Sequence, residues 1–387
     1  QLSVTEGRHI PHLERMIETI QKHGTKVFIQ LHHPGRETKS SLIGGKQIVA
    51  PSAIMCKVTQ EMPRALTTEE CEGLVKSFIK GAVISKTAGA DGVEIHAAHG
   101  YLLNQFISPY TNVRTDKYGG SFQNRLRILS EIITGIKYMC GADFPVSVRI
   151  SADEFVEGGL KLPESVKIAR TLESLGIDAI NVSSGTYESA TTIIEPGSYP
   201  QGWKKHLATE IRKNVKIPVI AVNNIKDPQT AEQLLNDGVC DFVGVARGHL
   251  ADPNWVNKAR DGKSDQIRKC IGCLNCFAEL NQGRHTKCAV NARVGREIEF
   301  SDPNIDGEGK TVVVIGGGPA GMQAALLLDQ RKYRTILIDE REKLGGTLNV
   351  ADKAPIKEKV ADMNNGMIRE IEESGVDVRM NTKATVE

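Results

Sequence analysis

Several things are missing from this 387-residue chain. No apolar run approaches the roughly 18 residues that a membrane-spanning helix needs, so the sequence offers no candidate span. Charge of neither sign dominates: 49 Lys and Arg stand against 47 Asp and Glu, a net +2, and the two signs are interspersed. A polybasic surface for nucleic acid or a membrane is therefore not encoded. No low-complexity tract and no internal repeat is evident. There is no initiator Met, and residues 1–7 do not read as a natural start. A targeting segment ahead of Gln1 stays open. Cysteine is sparse except in one place. Of eight, Cys56, Cys71, Cys140 and Cys240 are scattered, while Cys270, Cys273, Cys276 and Cys288 crowd together. A secreted disulfide framework would be dense throughout a small chain, so the crowding points to a metal site in a reducing compartment.

What is present has the make-up of a globular protein, with 40% hydrophobic and 25% charged residues. The length suits two or three domains. From 25 to 248 short β-branched runs alternate with amphipathic stretches. The runs are 26–31, 92–96, 146–150, 179–182, 219–222 and 242–246, near-continuously apolar, as strands covered on both faces should be. The helical patterns include one opened by Thr67-Thr68-Glu69-Glu70, a capping box, and others over 124–139, 164–175, 205–213 and 228–236. Repeated strand–helix units predict an α/β fold with a parallel sheet. Polar residues gather where each run ends: Gln30 and His33, Glu94 to His99, Arg149, Ser183-Ser184, Asn223-Asn224 and Arg247. Functional groups converging from many strand ends mark a (β/α)8 TIM barrel, whereas an open sheet gathers them at one switch point. About six βα units are present, so the reading expects two further strands before Gln1. Domain boundaries follow: a barrel over 1–268, a cysteine segment over 269–300 and a second α/β domain over 301–387, expected to continue past Glu387.

In the cysteine segment Cys270, Cys273 and Cys276 form CxxCxxC, and Cys288 follows eleven residues later. Four thiolates suit a [4Fe–4S] cluster or a tetrahedral zinc. Zinc ribbons usually pair two CxxC knuckles, so this 3+1 spacing favours the cluster. In the last domain Gly316-Gly-Gly318-Pro-Ala-Gly321 follows an apolar run, opens a helix, and precedes Asp339 by about 20 residues, the dinucleotide fingerprint. Gly316 allows a tight turn, Gly318 lets a pyrophosphate approach the helix N-terminus, and Gly321 lets helix and strand pack closely. Asp339 is expected to bind a ribose, with Glu340 as the fallback. The spacing alone does not separate FAD from NAD.

The motifs Gln30-Leu-His-His33-Pro-Gly35-Arg36, Glu94-Ile-His96-Ala-Ala-His99-Gly-Tyr101 and Asn112-Val-Arg114-Thr-Asp116-Lys-Tyr118-Gly-Gly resemble the Old Yellow Enzyme family. The likeness is to its multidomain NADH:flavin oxidoreductase branch, similar to 2,4-dienoyl-CoA reductase, enoate reductase and trimethylamine dehydrogenase, and it covers nearly the whole chain. It implies FMN on the barrel's C-terminal face and, with Leu344-Gly345-Gly346, FAD in the last domain. Gln30 would hydrogen-bond the flavin pyrimidine edge and Arg149 would lie near its N1–C2 carbonyl. Gly244, Ala246 and Arg247 would hold the phosphate, with Asn223 beside it. His96 and His99 would both donate to one substrate oxygen, Tyr101 would supply a proton, and His33 and Tyr187 would line the substrate. A structural role for the His residues is the plain alternative. Tyr187 stands where dienoyl-CoA reductases carry a His, and the His pair also departs from that branch, which argues against a CoA thioester.

The implied activity is reduction of an activated C=C bond in an α,β-unsaturated small molecule. Electrons would pass from NAD(P)H through FAD and the cluster to FMN. The alternatives are an amine dehydrogenase and a zinc-stabilised barrel without catalysis. A cytoplasmic enzyme is expected by resemblance, and a homo-oligomer is left open.

Overall fold

The computed structural model describes residues 2–222, 224–301 and 303–385. It divides into two compact units. The main sheet of the first unit has six parallel strands among the described residues: β1 (Phe28–Leu31), β2 (Gly92–Ala97), β3 (Val146–Ser151), β4 (Ala179–Ser183), β5 (Val219–Ala221) and β6 (Phe242–Val243). Each strand pairs with the next one in the chain, with no reversal. A doubly wound sheet would reverse its order at a switch point; an unbroken order is how successive βα units build a barrel. β2, β3 and β4 are buried along nearly their whole length, because helices cover one face and inward side chains the other.

A repeated device sets the register of these strands. The aspartate preceding every second strand accepts the first N–H of the strand before it, each time at 2.8 Å: Asp91 from Val27, Asp178 from Val146, Asp241 from Val219. Each carboxylate also meets a cation, Lys26 at 2.9 Å, Lys137 at 2.7 Å and Arg212 at 2.8 Å. Those bonds hold the Asp91 carboxyl down to about 2, the Val27 N–H contributing most.

Helix formation follows the caps. Helix Thr68–Thr87 begins at a capping box: Glu70 N donates to Thr67 Oγ1 at 3.2 Å, and Thr67 N donates to Glu70 Oε2 at 2.8 Å. Helix Phe122–Cys140 is capped by Ser121 and extends the pattern read from sequence by two residues at its start and one at its end. It buries Leu126, Leu129, Ile133 and Ile136 against its neighbour Thr68–Thr87.

In the second unit β7 (Thr311–Ile315), β8 (Arg334–Ile338) and β9 (Asp377–Arg379) form a parallel sheet in the order β9-β8-β7. Helices Pro319–Gln330 and Glu358–Glu372 pack around Met322, Ala325, Leu326, Leu337, Leu344, Met367 and Ile371. No helix among the described residues is long and apolar enough to cross a membrane.

Candidate functional site

The C-terminal end of β2 carries the densest group of rings in the first unit. After Ala97 the chain turns through two successive left-handed residues, His99 at φ 64° and Gly100 at φ 79°. That conformation is free for Gly100 but costs a residue with a Cβ roughly 1–2 kcal/mol. The His99 N–H is held by Ser151 Oγ on β3 at 2.8 Å, and Ser151 Oγ donates to Gly185 O at 2.8 Å. The turn places Tyr101 at the N-cap of helix Leu102–Ile107. Its ring meets His32 edge-on at 4.3 Å, His96 at 4.9 Å and Tyr187 at 5.6 Å between centroids. The two phenol oxygens lie 2.9 Å apart.

The two imidazoles stand in series, contrary to the expected side-by-side pair. His96 Nδ1 accepts the Ala98 N–H at 3.3 Å, which leaves its proton on Nε2. Nε2 lies 3.3 Å from His99 Nδ1, and His99 Nε2 lies 2.7 Å from Ser183 Oγ. The network thus assigns Nε2–H to both rings and spends both N–H groups within the row. Two donors to one oxygen are not formed, because the left-handed turn at His99 aims its ring at β4. Burial, then the charge of Arg149, drives both rings well below the usual histidine pKa. They are neutral at pH 7. Burial, then Tyr187, raises the Tyr101 phenol, which stays protonated.

His33 does not join this group. Its Nδ1 accepts the Gly35 N–H at 3.1 Å and so fixes a turn, while His32 packs against Tyr101. Burial lowers each to about 4, with His33 adding to the effect on His32. Gln30 differs from expectation too: its amide donates to Glu94 Oε1 at 2.6 Å. Glu94 Oε2 takes a second donor from Asn181 at 2.9 Å. Arg149 sits level with His96 across the β2–β3 ladder, and its Nε is buried with no hydrogen-bond partner. His32 Nδ1 and Asn181 Oδ1 are orphaned in the same way. Buried polar atoms left without partners are expensive, so this group of orphans fits a polar ligand the size of a flavin edge.

Sequence reasoning missed Glu37 altogether. Its side chain is fully buried; Oε2 accepts the Cys56 thiol at 3.1 Å, and Oε1 has no hydrogen-bond partner but lies 3.9 Å from Arg36 Nε. Burial pushes its pKa up to about 8. A Cβ at Gly100 would lie 2.6 Å from Glu37 Oε1, so the carboxyl lies directly behind the Tyr101 turn.

Of the residues expected to hold a phosphate, Asn223 lies outside the described residues. Gly244 follows β6, where a side chain would meet Val222 at 2.6 Å. Ala246 and Arg247 belong to the second unit. The Arg247 guanidinium binds Glu195 there, through its carbonyl at 2.7 Å and its carboxylate at 3.1 Å, which engages one donor on each terminal nitrogen.

In the cysteine segment Gly272 (φ 69°) and Leu274 (φ 59°) are both left-handed, which curls the chain around Cys270, Cys273 and Cys276. Asn275 Nδ2 donates to Lys287 O at 3.3 Å and draws the residue before Cys288 toward that curl. The thiols feel one another: Cys276 is raised by burial, then by Cys270, and Cys288 by burial, with Cys270 and Cys273 adding. Among the described residues no three His, Cys, Asp or Glu side chains are close enough to hold a single metal ion.

At the glycine turn Gly316 has φ 102° and Gly318 caps helix Pro319–Gln330. A Cβ at Gly321 would collide with the Gly316 carbonyl oxygen. Asp339 is not placed as a free ribose ligand. Its Oδ2 accepts Gly317 N at 2.6 Å and its Oδ1 accepts Arg341 N at 2.8 Å. Glu340 is the exposed carboxylate.

Comparison with known proteins agrees with this geometry. Residues 1–266 match the model of the NADH:flavin oxidoreductase / NADH oxidase family, and 311–385 that of FAD dependent oxidoreductases. An NADH oxidase of Thermoanaerobacter brockii is 43% identical over all of this chain and 60% of its own length. A cinnamate reductase of Clostridium sporogenes is 35% identical over 96% of this chain and 58% of its own. An N,N-dimethylglycine/sarcosine dehydrogenase of Chromohalobacter salexigens is 34% identical over 99% and 56%. The chain thus spans about three-fifths of the length of the curated relatives it matches. A 2-naphthoyl-CoA reductase structure superposes with a TM-score of 0.95 at 30% identity, covering 100% of this chain and 61% of that one. These matches show that the chain belongs to the NADH:flavin oxidoreductase / NADH oxidase family.

Proposed function

We propose that this chain is part of a flavin- and iron–sulfur-dependent reductase that saturates an activated C=C bond in a small α,β-unsaturated carbonyl compound. The observation that carries the reading is the Tyr101 phenol. It is protonated, half-buried, backed by Tyr187 at 2.9 Å and ringed by imidazoles that are neutral at pH 7. FMN, FAD and a [4Fe–4S] cluster, when bound, supply hydride and single-electron chemistry. The orphaned Arg149 Nε, His32 Nδ1 and Asn181 Oδ1 fit the FMN. The Gly316–Gly318 backbone and Glu340 fit FAD. The left-handed curl with four thiols fits the cluster, whose irons are spread more widely than a single zinc.

Each side chain then has one task. The His96 Nε2–H, held only by the 3.3 Å link to His99, turns to the substrate carbonyl oxygen and polarises it. Tyr101 gives its proton to the carbon next to the carbonyl, and Tyr187 donates to the phenolate left behind. Arg149 places positive charge beside the imidazole row, keeping both rings neutral donors.

Anaerobic stopped-flow of the full-length protein tests this. NADH should bleach the flavin absorbance, and an enone or enoate should restore it. A second reading, oxidation of an amine, is favoured by the dimethylglycine dehydrogenase likeness over 99% of the chain. Flavin bleaching by amines, with no reoxidation by any enone or enoate, would establish that reading instead.

A further inference from the structure

The second unit contains a buried cation that nothing above uses. Lys226 lies just after β5 and is 3% exposed. Its Nζ has no hydrogen-bond partner. Its backbone is pinned on both sides: Lys226 N donates to Gln201 Oε1 at 2.5 Å, and its carbonyl accepts Trp255 Nε1 at 2.9 Å. The side chain therefore does not reach solvent by rearranging a loose loop. It points at the cysteine curl. A Cβ built on Gly272, between Cys270 and Cys273, would lie 2.9 Å from Lys226 Nζ. Glycine at 272 is what lets the ammonium come so close.

The neighbours make the placement more demanding. Gly197 N donates to Gly272 O at 2.9 Å, and side chains at 197 or 272 would collide with the opposite backbone. Lys359 Nζ donates to the carbonyls of Gly197 and Tyr199 and adds a second positive charge. Both Lys359 and Arg247 disfavour charge on Lys226, and Cys270 is the group within reach that favours it. An ammonium buried without a partner is a heavy cost unless an anion meets it. The charged groups that act most on Lys226 are the cations Lys359 and Arg247 and the thiol of Cys270.

We propose that Lys226 is a positioning residue for the iron–sulfur cluster, its ammonium set against the Cys270–Cys273 turn to balance the negative charge of four thiolates and raise the cluster's reduction potential. This rests on the reading that the four cysteines hold such a cluster. A cluster bound by four thiolates is anionic and becomes more so when it accepts one electron, with no proton needed. A fixed positive charge at the turn favours the reduced form. The sequence gives no motif for this role; only the fold brings 226 to 272.

The test is an electron-paramagnetic-resonance titration of the reduced cluster in the full-length protein, with dithionite as reductant. Iron and acid-labile sulfide are measured on the same samples. Lys226→Met keeps the length and removes the charge; Lys226→Arg keeps the charge. In Lys226→Met the midpoint should fall so that the reduced-to-oxidised ratio at a given potential drops at least tenfold, 59 mV for one electron. Lys226→Arg should stay near wild type. An unshifted midpoint in Lys226→Met, with iron intact, overturns the inference and leaves the cluster reading standing. So does loss of FMN with an unchanged midpoint, which would make Lys226 a flavin-phosphate ligand. Wild-type protein without iron would remove the cluster reading and this inference together.

Discussion

Glu37 offers a quantitative test of how the site is built. Its carboxyl is fully buried, accepts the Cys56 thiol as its one side-chain hydrogen bond, and is pushed up from 4.5 to about 8 by burial, which outweighs that bond and Arg36 at 3.9 Å. The unfolded chain gives up this proton near 4.5, and the folded chain keeps it until about 8. Stability is therefore intact in acid and falls as pH rises from 4.5 to 8, levelling above that. At about 1.4 kcal/mol for each tenfold difference, the loss approaches roughly 5 kcal/mol at high pH. That figure is a ceiling, because water entry would screen the ionised carboxylate. Glu37→Gln keeps an acceptor for the Cys56 thiol and cannot ionise. Urea unfolding followed by the fluorescence of Trp203, in the same unit, should give matching curves for the two proteins near pH 4.5. The variant should be more stable by several kcal/mol at pH 9. A gap between wild type and variant that stays constant across this range would refute the reasoning, since only a titrating group makes the gap grow.

Three further outcomes follow from the geometry. Tyr101→Phe should slow substrate reduction about 10²–10⁴-fold, while the rate at which NADH bleaches the flavin stays unchanged; equal substrate rates in the two proteins would remove Tyr101 as donor. Asp178→Ala takes away the staple on Val146 N and the carboxylate partner of Lys137, and should cost about 1.5–3 kcal/mol in urea unfolding, with Asp91→Ala and Asp241→Ala behaving alike. Gly321→Ala forces a Cβ against the Gly316 carbonyl and should lower the FAD recovered per chain, with FMN retained, when released flavins are separated by chromatography.

How much of this was readable beforehand depends on the range of the interaction. The six strands were legible because parallel strands covered on both faces are short β-branched runs. The last was read as 242–246 but ends at Val243, since Gly244 follows against Val222. The spacing of His96, His99 and Tyr101 was legible as a group. Its arrangement was not, because the left-handed backbone at His99 turns one ring away from the other's target. The choice between His32 and His33 depended on which one the Gly35 turn captured. Glu37 and Lys226 sit in loop stretches and belong to no motif that the sequence analysis singled out. Their burial is supplied by partners far along the chain, Cys56 and Gly100 for one, Gly272 and Trp255 for the other. The aspartate staples were hidden likewise: each joins the residue before one strand to the start of the preceding one.

The two acids at the end of β8 divide a task usually given to a single residue. Asp339 is committed to the polypeptide itself, clasping Gly317 and Arg341, while its neighbour faces outward. On the proposed reading of Glu340 as the sugar-facing acid, exchanging it for a neutral or basic side chain changes that contact and leaves the clasp untouched. The outward acid is thus free to vary by one surface change, with no toll on the architecture beneath it.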